Sequence, residues 1–499
     1  MDKLEMKVIC AKHFHCIRQI WSNRGALNEV IRRIVSLHLR TTHLAIMRYN
    51  IATIFICLFC LIFIGSAAVG QTMGLIDYSD STSIGYTLFT PLIGEQTYLV
   101  DQCGHKIHQW DHDSASGESV YLLDDGQLLR QERVLSETFQ GGGIGGRLSL
   151  YDWDSNLDWT YVIANDSLHA HHDMAHLPNG NIAVIAWEFH SQLESVQNGR
   201  DPNTFGLKLF TPVIIELEPL PNNEANWVWM WRLWDHLVQD FDDTKPNFGI
   251  VADHPELMNF NFIGGSSTSG SDWMHLNALN YNPEYDQLMF SSRFMSEIYI
   301  IDHSTSTEEA ASHDGGTYGK GGDFLYRYGN PASYDRGSDP DQKFYLQHDC
   351  EWVPVGHDWE GQISVFNNLG ISSSQSSVDF ITPPQDAPGF YTDPGEGAYG
   401  PEEFNWSWTE DGLFSSFISG AHTLENGNVL ITEGSSGKFH EVTPEGEKIW
   451  EYICPISLNG PMTQGNIASQ NAVFRATRLS IEHPGLSGQD LTPGPPLEF

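Results

Sequence analysis

The chain has 499 residues, 40% of them apolar and 12% aromatic, with a formal net charge of −38. Such a composition excludes a disordered chain and can fill a sizeable core. So acidic a chain also repels polyanions, which sets aside nucleic acid and anionic membrane surfaces as partners.

The charge is unevenly spread. Nine of the 26 basic and three of the 64 acidic residues precede residue 51, so the remainder, 17 basic against 61 acidic, carries a net −44. Residues 1–46 are a basic N-terminal extension, read as a gene-model artefact ahead of Met47 or as a long n-region. Residues 47–70 read as a signal peptide: Arg48, an uncharged apolar run from Ile51, then Ser66, Ala67, Ala68 and Gly70 before Gln71. The 19 uncharged residues from 51 to 69 would also suffice for a retained signal anchor. Either way residues 71–499 are expected outside the cytosol, secreted or held on a single span.

Beyond the leader only Cys103, Cys350 and Cys454 remain, an odd number that allows one disulfide and one free thiol in an oxidising compartment. A Cys103–Cys454 bond would tie the first repeat to the last. Asn165-Asp-Ser and Asn405-Trp-Ser are glycosylation sequons of the secreted type.

From residue 97 onward two kinds of segment alternate. The first is an alternating strand, a turn and a strand ending in Trp or Tyr: TYLVDQCGHKIHQW, LSLYDWDSNLDWTY, PVIIELEPLPNNEANWVWMWRLW, EIYIIDH with DFLYRYG, VDFITPP with NWSW, and FHEVTPEGEKIWEY. The second lies between them: SVYLLDDGQLLRQE, HHDMAHLPNGNIAVIAWE, HLNALNYNPEYDQLMFSSR, QHDCEWVPVGHDWEGQISVFNN, AHTLENGNVLITEG and a degenerate QNAVFRATRLS. Turns such as DDG and NGN supply the positive φ that tight hairpins require. Six units of about four strands, each too small to bury its own face, predict an all-β, six-bladed β-propeller over residues 71–499. The inserts 223–270 and 304–322 are expected as long loops on one face, with a short helix around Leu237.

Four segments of the second kind open on histidine: His172, His275, His348 and His422. Equivalent points of successive blades lie at one height around the channel, so these imidazoles are expected to converge on the axis. His171 competes with His172 for the third-blade place. Arg293, at the end of the strand after His275, can reach the same space; its alternative is a salt bridge to one of the many carboxylates. Several imidazoles could hold Zn or Cu. A guanidinium beside them repels a metal cation and suits a tetrahedral oxyanion, which favours sulfate or phosphate transfer without a metal or cofactor. Trp273, Phe294 and Trp352 are candidates to stack on an aryl ring, with the core as their alternative place.

The segments DWMHLNAL through SSRFMSEIYIID, HHDM with LPNGN, QHDCEW, GAHTLENGNVLITEG and GGDFLYRYGNP resemble the arylsulfotransferase (arylsulfate sulfotransferase) family over residues 95–480. The resemblance implies a six-bladed propeller that moves a sulfuryl group from a phenolic sulfate ester to a phenol, without a nucleotide donor, through a sulfated histidine. Motif by motif it puts the nucleophile at His348 in QHD, sulfuryl-binding histidines at His172 and His275, and the arginine at Arg293 in SSR, with His422 and His171 as substrate-binding neighbours. Its partners are then a small aryl sulfate and a phenolic acceptor. Two other readings stand beside it: a non-catalytic propeller that binds sulfated or phenolic ligands, and a histidine-bound metal hydrolase.

Overall fold

The computed structural model describes residues 71–265 and 270–499, so the leader expected over 1–70 lies outside the described residues. Six antiparallel sheets, five of four strands and one of five, form a β-propeller. From the axis outward, blade 2 runs Ser116–Leu122, Leu128–Arg133, Gly146–Tyr151 and Leu157–Val162. Blade 3 runs Leu168–His176, Ile182–Ser191, Lys208–Leu220 and Glu224–Arg232. Blade 4 runs Leu276–Asn282, Gln287–Ser292, Glu297–Asp302 and Tyr326–Tyr328. Blade 5 runs His348–Trp352, Ile363–Ser372, Gln375–Ile381 and Trp406–Trp408. Blade 6 runs Gly420–Thr423, Val429–Glu433, Lys438–Val442 and Lys448–Ile453.

Blade 1 is built from both ends of the chain. The degenerate last segment supplies its innermost strand, Val473–Ser480, which pairs with Gly85–Pro91, followed by Gln96–Asp101 and Lys106–Asp111. Gly74–Tyr78 adds a fifth, outermost strand to blade 6. Both joins are antiparallel pairings between residues nearly 400 positions apart, and they close the ring.

An aromatic in the outermost strand of each first-kind segment explains how neighbouring blades hold together. Trp110 of blade 1 donates its indole N–H to the Asp152 carbonyl of blade 2, and Trp159 to Glu224 of blade 3. Trp231 reaches Gly322 in the blade 4 connection, the Tyr326 hydroxyl reaches Gly400, Trp408 reaches Gly446, and Trp450 completes the circle on Gln102 of blade 1. A large apolar body fills the space between sheets while its one polar atom satisfies a carbonyl that would otherwise be orphaned.

A second circle occupies the channel. Arg475 on the innermost strand of blade 1 pairs with Asp173 of blade 3 at 3.0 Å and Asp349 of blade 5 at 3.1 Å. Asp173 also accepts from the Tyr121 hydroxyl of blade 2 and the Leu279 amide of blade 4, and Asp349 accepts from the Ala421 amide of blade 6. One guanidinium and two carboxylates thus tie all six blades.

The insert after blade 3 begins at Leu233, not at 223, because Glu224–Arg232 completes that sheet. In place of a helix at Leu237 there is a single 3-10 turn, Leu233–Asp235, and a two-residue strand, Leu237–Val238, parallel to Met258–Asn259. Arg327 pins the insert by donating to the carbonyls of Pro255 and Leu257 while it pairs with Glu297. The insert 304–322 opens on a helical turn, Thr307–Ala310, capped by Ser306 and Glu309. Cys350 and Cys454 are free and buried, whereas Cys103 is disulfide-bonded, so the Cys103–Cys454 bond does not form. Among the described residues no helix is long and apolar enough to cross a membrane.

Replacing Arg475 with Met leaves two buried carboxylates without their cation. Loss of one partner of a buried ion pair costs about 3–5 kcal/mol, and a fall of that size in unfolding free energy is expected in urea titrations of Arg475→Met.

Candidate active site

Each innermost strand of blades 2 to 5 carries an irregularity near its start. The pairing slips between Ser116 and Val120 in blade 2, at residues 171–173 in blade 3, between Leu276 and Ala278 in blade 4, and between His348 and Glu351 in blade 5. The backbone there enters the left-handed region at Glu118 (φ 100°), His172 (φ 51°), His275 (φ 54°) and Asp349 (φ 61°). A bulge with such a residue bends the strand and re-aims a side chain, at a cost on the order of 1–3 kcal/mol for each strained residue. Here the re-aimed side chains meet at the channel mouth, in a cavity of about 420 Å³ lined by Glu118, His172, His275 and His348 together with Arg133 and Arg293.

Gly141, Gly142 and Gly143 cover one wall. Gly143 has φ 76°, a Cβ there would collide with the His172 ring, and its carbonyl accepts from the His172 amide at 2.8 Å. Only glycine fits this close approach. Leu92, Ile93, Phe417 and Ile418 give the cavity an apolar rim.

The partners behind each imidazole fix what it presents to the cavity. Nδ1 of His348 lies 2.8 Å from Oδ1 of Asn368, whose amide nitrogen donates to the carbonyls of Ser415 and Ile418. Asn368 can therefore only accept, so His348 carries its proton on Nδ1 and its Nε2 lone pair is free. Burial first, and then the Arg293 cation, hold the His348 imidazole well below its ordinary pKa, so it stays neutral. Nδ1 of His275 meets Oδ2 of Asp272 at 2.6 Å, and the other oxygen of Asp272 accepts from the Trp187 indole. His172 stands edge-on to His275 with ring centroids 4.6 Å apart, and burial, then His275, keep it neutral too.

His171 does not line the cavity. It stacks on Trp187 at 4.0 Å and shares a hydrogen bond between its Nδ1 and that of His172, 2.8 Å away. If His171 donates, only an acceptor is left unpaired in the apolar interior at its Nε2, and His172 keeps an Nε2–H toward the cavity. Arg293 has no carboxylate partner within 4 Å among the described residues; it donates to the Ser416 carbonyl, and its buried Nε has no partner. The salt-bridge alternative for Arg293 therefore falls away, and its charge remains available to a ligand.

His422 is elsewhere. It is buried one level down, where Nε2 accepts the Arg478 backbone N–H at 3.2 Å, and burial, then Arg478, push it down to about 3. Counting back from the hairpin turns explains the difference. His172 lies seven residues before Asn179 of the NGN turn, but His422 lies only four before Asn426. The residue seven before Asn426 is Ser419 (φ 96°), and its neighbour Ile418 lines the cavity. The same count from Asp125 of the DDG turn gives Glu118, a cavity residue that breaks the histidine pattern of the later blades. Asn368 and Arg133 had no comparable signal, since nothing in their local pattern distinguishes them from strand and loop residues.

Of the aromatics, Trp273 is a core residue bonded to the Phe262 carbonyl, Trp352 packs in the interior between blades 4 and 5, and Phe294 lies behind His275 at 4.9 Å. Phe417, half-exposed at the rim, is the aromatic side chain that faces the cavity. Two clusters among the described residues bring metal-binding atoms within 4.8 Å of one another, Asp101–Cys103–His105 and His236–His313–Asp323; the cavity imidazoles form no such cluster.

The sequence model for Arylsulfotransferase (ASST) matches residues 93–478, most of the chain. The chain belongs to the arylsulfotransferase family. Membership makes it a sulfotransferase by family, and a small aryl donor and acceptor fit that family. No curated protein matches the chain. Among solved structures it is similar to a protein of unknown function from Bacteroides caccae, at 9% identity and a TM-score of 0.42, covering 80% of this chain and 99% of that one. It is also similar to the Cps50 (Swd1) β-propeller domain from Myceliophteria thermophila, at 10% identity and a TM-score of 0.38, covering 83% and 97%. Likeness at this level says nothing of activity.

A cavity holding two guanidinium groups and three imidazoles against one carboxyl group suits a sulfate oxyanion. Inorganic sulfate is expected to bind there, and Arg293→Met to weaken it by about 1.5–3 kcal/mol, the worth of a hydrogen bond to a charged group. Isothermal titration of both proteins with sodium sulfate checks this.

Proposed function

We propose that this cavity transfers a sulfuryl group from an aryl sulfate to a phenol in two steps, through a sulfated His348, with no nucleotide donor. The observation that carries the reading is the fixed tautomer of His348: Asn368 holds the proton on Nδ1, so Nε2 faces the cavity as a neutral nucleophile beside Arg293. A neutral imidazole attacks sulfur well, and a covalent intermediate divides one difficult transfer into two easier ones.

In the first step Nε2 bonds to sulfur and the aryl oxygen departs. Charge on the three sulfuryl oxygens is met by Arg293, by the Nε2–H of His172, and by the His275 ring, which Asp272 orients through Nδ1. In the second step a phenol takes the sulfuryl group and His348 returns to its starting state. The partner of Nδ1 is a neutral amide, not a carboxylate, so the sulfated ring gains no fixed countercharge there and remains a good leaving group. Burial and Arg293 act together to keep His348 unprotonated, so activity should not fall toward mildly acidic pH through protonation of the nucleophile.

Incubation with 4-nitrophenyl sulfate alone should add one sulfuryl group to the intact mass, and His348→Asn should abolish both the adduct and transfer. His172→Asn and His275→Asn are expected to lower kcat by about 10²–10³ each, as loss of an oxyanion donor does. Tight ligand binding by the parent with neither adduct nor turnover would support a binding propeller instead.

We also propose that the propeller is extracytoplasmic. The apolar run before Gln71 and the exposed sequons at Asn165 and Asn405 support this. Sequencing the mature N-terminus should give Gln71; a start at Met47 or earlier would indicate a retained anchor.

A further inference from the structure

We propose that Glu118 is the proton shuttle of the transfer, giving a proton to the departing aryl oxygen in the first step and taking one from the acceptor phenol in the second. The inference rests on the two-step reading above. It accounts for a proton that His348 cannot carry, because its Nδ1 is held by Asn368 and its Nε2 is bonded to sulfur in the intermediate.

Glu118 is the blade 2 counterpart of His172. It sits on the same kind of bulge, seven residues before the turn, with φ 100°, a conformation strained for any residue with a side chain. The strain aims a carboxyl into the cavity: Oε2 is buried without a hydrogen-bond partner and lies 4.0 Å from Nε2 of His172. An unpaired buried carboxylate is expensive, whereas a carboxylic acid with its O–H toward a substrate oxygen is not. The surroundings decide the proton's place. Arg133 from its own blade, Arg475 from blade 1 and the Gly143 amide favour the anion; Asp173 from blade 3 opposes it; His172 across the cavity is neutral. Burial outweighs the cations, pushing the group up to about 8. At neutral pH it is an acid, and it stays weak enough to donate and then take back a proton.

The steps balance. Nε2 of His348 forms the N–S bond, the S–O bond to the aryl group breaks, and the aryl oxygen takes that electron pair together with the Glu118 proton to leave as a phenol. The acceptor phenol then yields its proton to the Glu118 carboxylate while its oxygen bonds to sulfur. The N–S bond breaks and its electron pair returns to Nε2.

Donor-only adduct formation, followed by intact mass in parent and Glu118→Gln, tests this. 4-Nitrophenolate leaves without a proton, so with 4-nitrophenyl sulfate the variant should form adduct within about tenfold of the parent. With phenyl sulfate, whose leaving group needs a proton, it should lose about 10²–10⁴-fold. Equal losses on both donors would overturn the shuttle and leave Glu118 a positioning residue for His172. Should Glu118→Gln form no adduct at all, the parent decides: its adduct rates should depend more steeply on the leaving phenol's acidity as pH rises through about 8, and an unchanged slope refutes the proposal. No adduct in the parent overturns the sulfated-histidine route itself; adduct in the parent with an equal, partial loss on both donors in the variant overturns Glu118 alone.

Discussion

One buried guanidinium holds the channel together. Arg475 reaches from the last strand of the chain to Asp173 and Asp349, and through them to Tyr121, Leu279 and Ala421. Each of the two carboxylates follows a cavity imidazole, His172 and His348, by one residue. Fixing the carboxylates therefore fixes the height and rotation of two bulges that carry the proposed chemistry. A buried ion pair contributes little net stability compared with apolar packing, but it penalises any arrangement in which one partner is left alone. In a ring of six similar blades, where sliding one inner strand against the next would otherwise cost little, that penalty selects a single register.

The cavity sits above this hub and differs in character from the molecule around it. The chain is strongly acidic, yet the mouth of its channel gathers Arg133, Arg293 and three imidazoles against Glu118. An acidic surface keeps polyanions away, while a short-range cationic site still holds a small sulfate ester once it is inside. Neutral imidazoles suit that task. Burial removes the charge from His348 and His172, so nucleophilic and hydrogen-bonding nitrogen is available without added protons. Both halves of the proposed chemistry, a neutral nucleophile at His348 and a neutral acid at Glu118, follow from the same desolvation acting on groups of opposite type.

Strain and support are distributed in the same way. Left-handed residues at the bulges cost free energy, and the indole and phenol latches between blades offset it by satisfying carbonyls in an otherwise apolar seam. The Gly141–Gly143 wall closes over His172 because those residues lack side chains. A rim of Leu92, Ile93, Phe417 and Ile418 then offers an aryl ring an apolar approach to a polar floor.

The sequence by itself determined the number of blades, their strand plan, and the meeting of His172, His275, His348 and Arg293, because alternation, turn chemistry and repeat spacing are local properties that survive folding unchanged. It also marked the outer pairs as ending in aromatic-rich strands, though not which aromatic latches or the carbonyl it reaches. Only the tertiary structure decided which residue of each inner strand is aimed inward, since a bulge shifts a strand by one place and reverses which face a side chain occupies. His422, matched by residue type, lies three residues nearer its turn and so below the cavity, while Glu118, matched by position on a bulge, lies within it. The Arg475 hub likewise joins residues far apart in sequence, and such pairings exist only once the ring has closed.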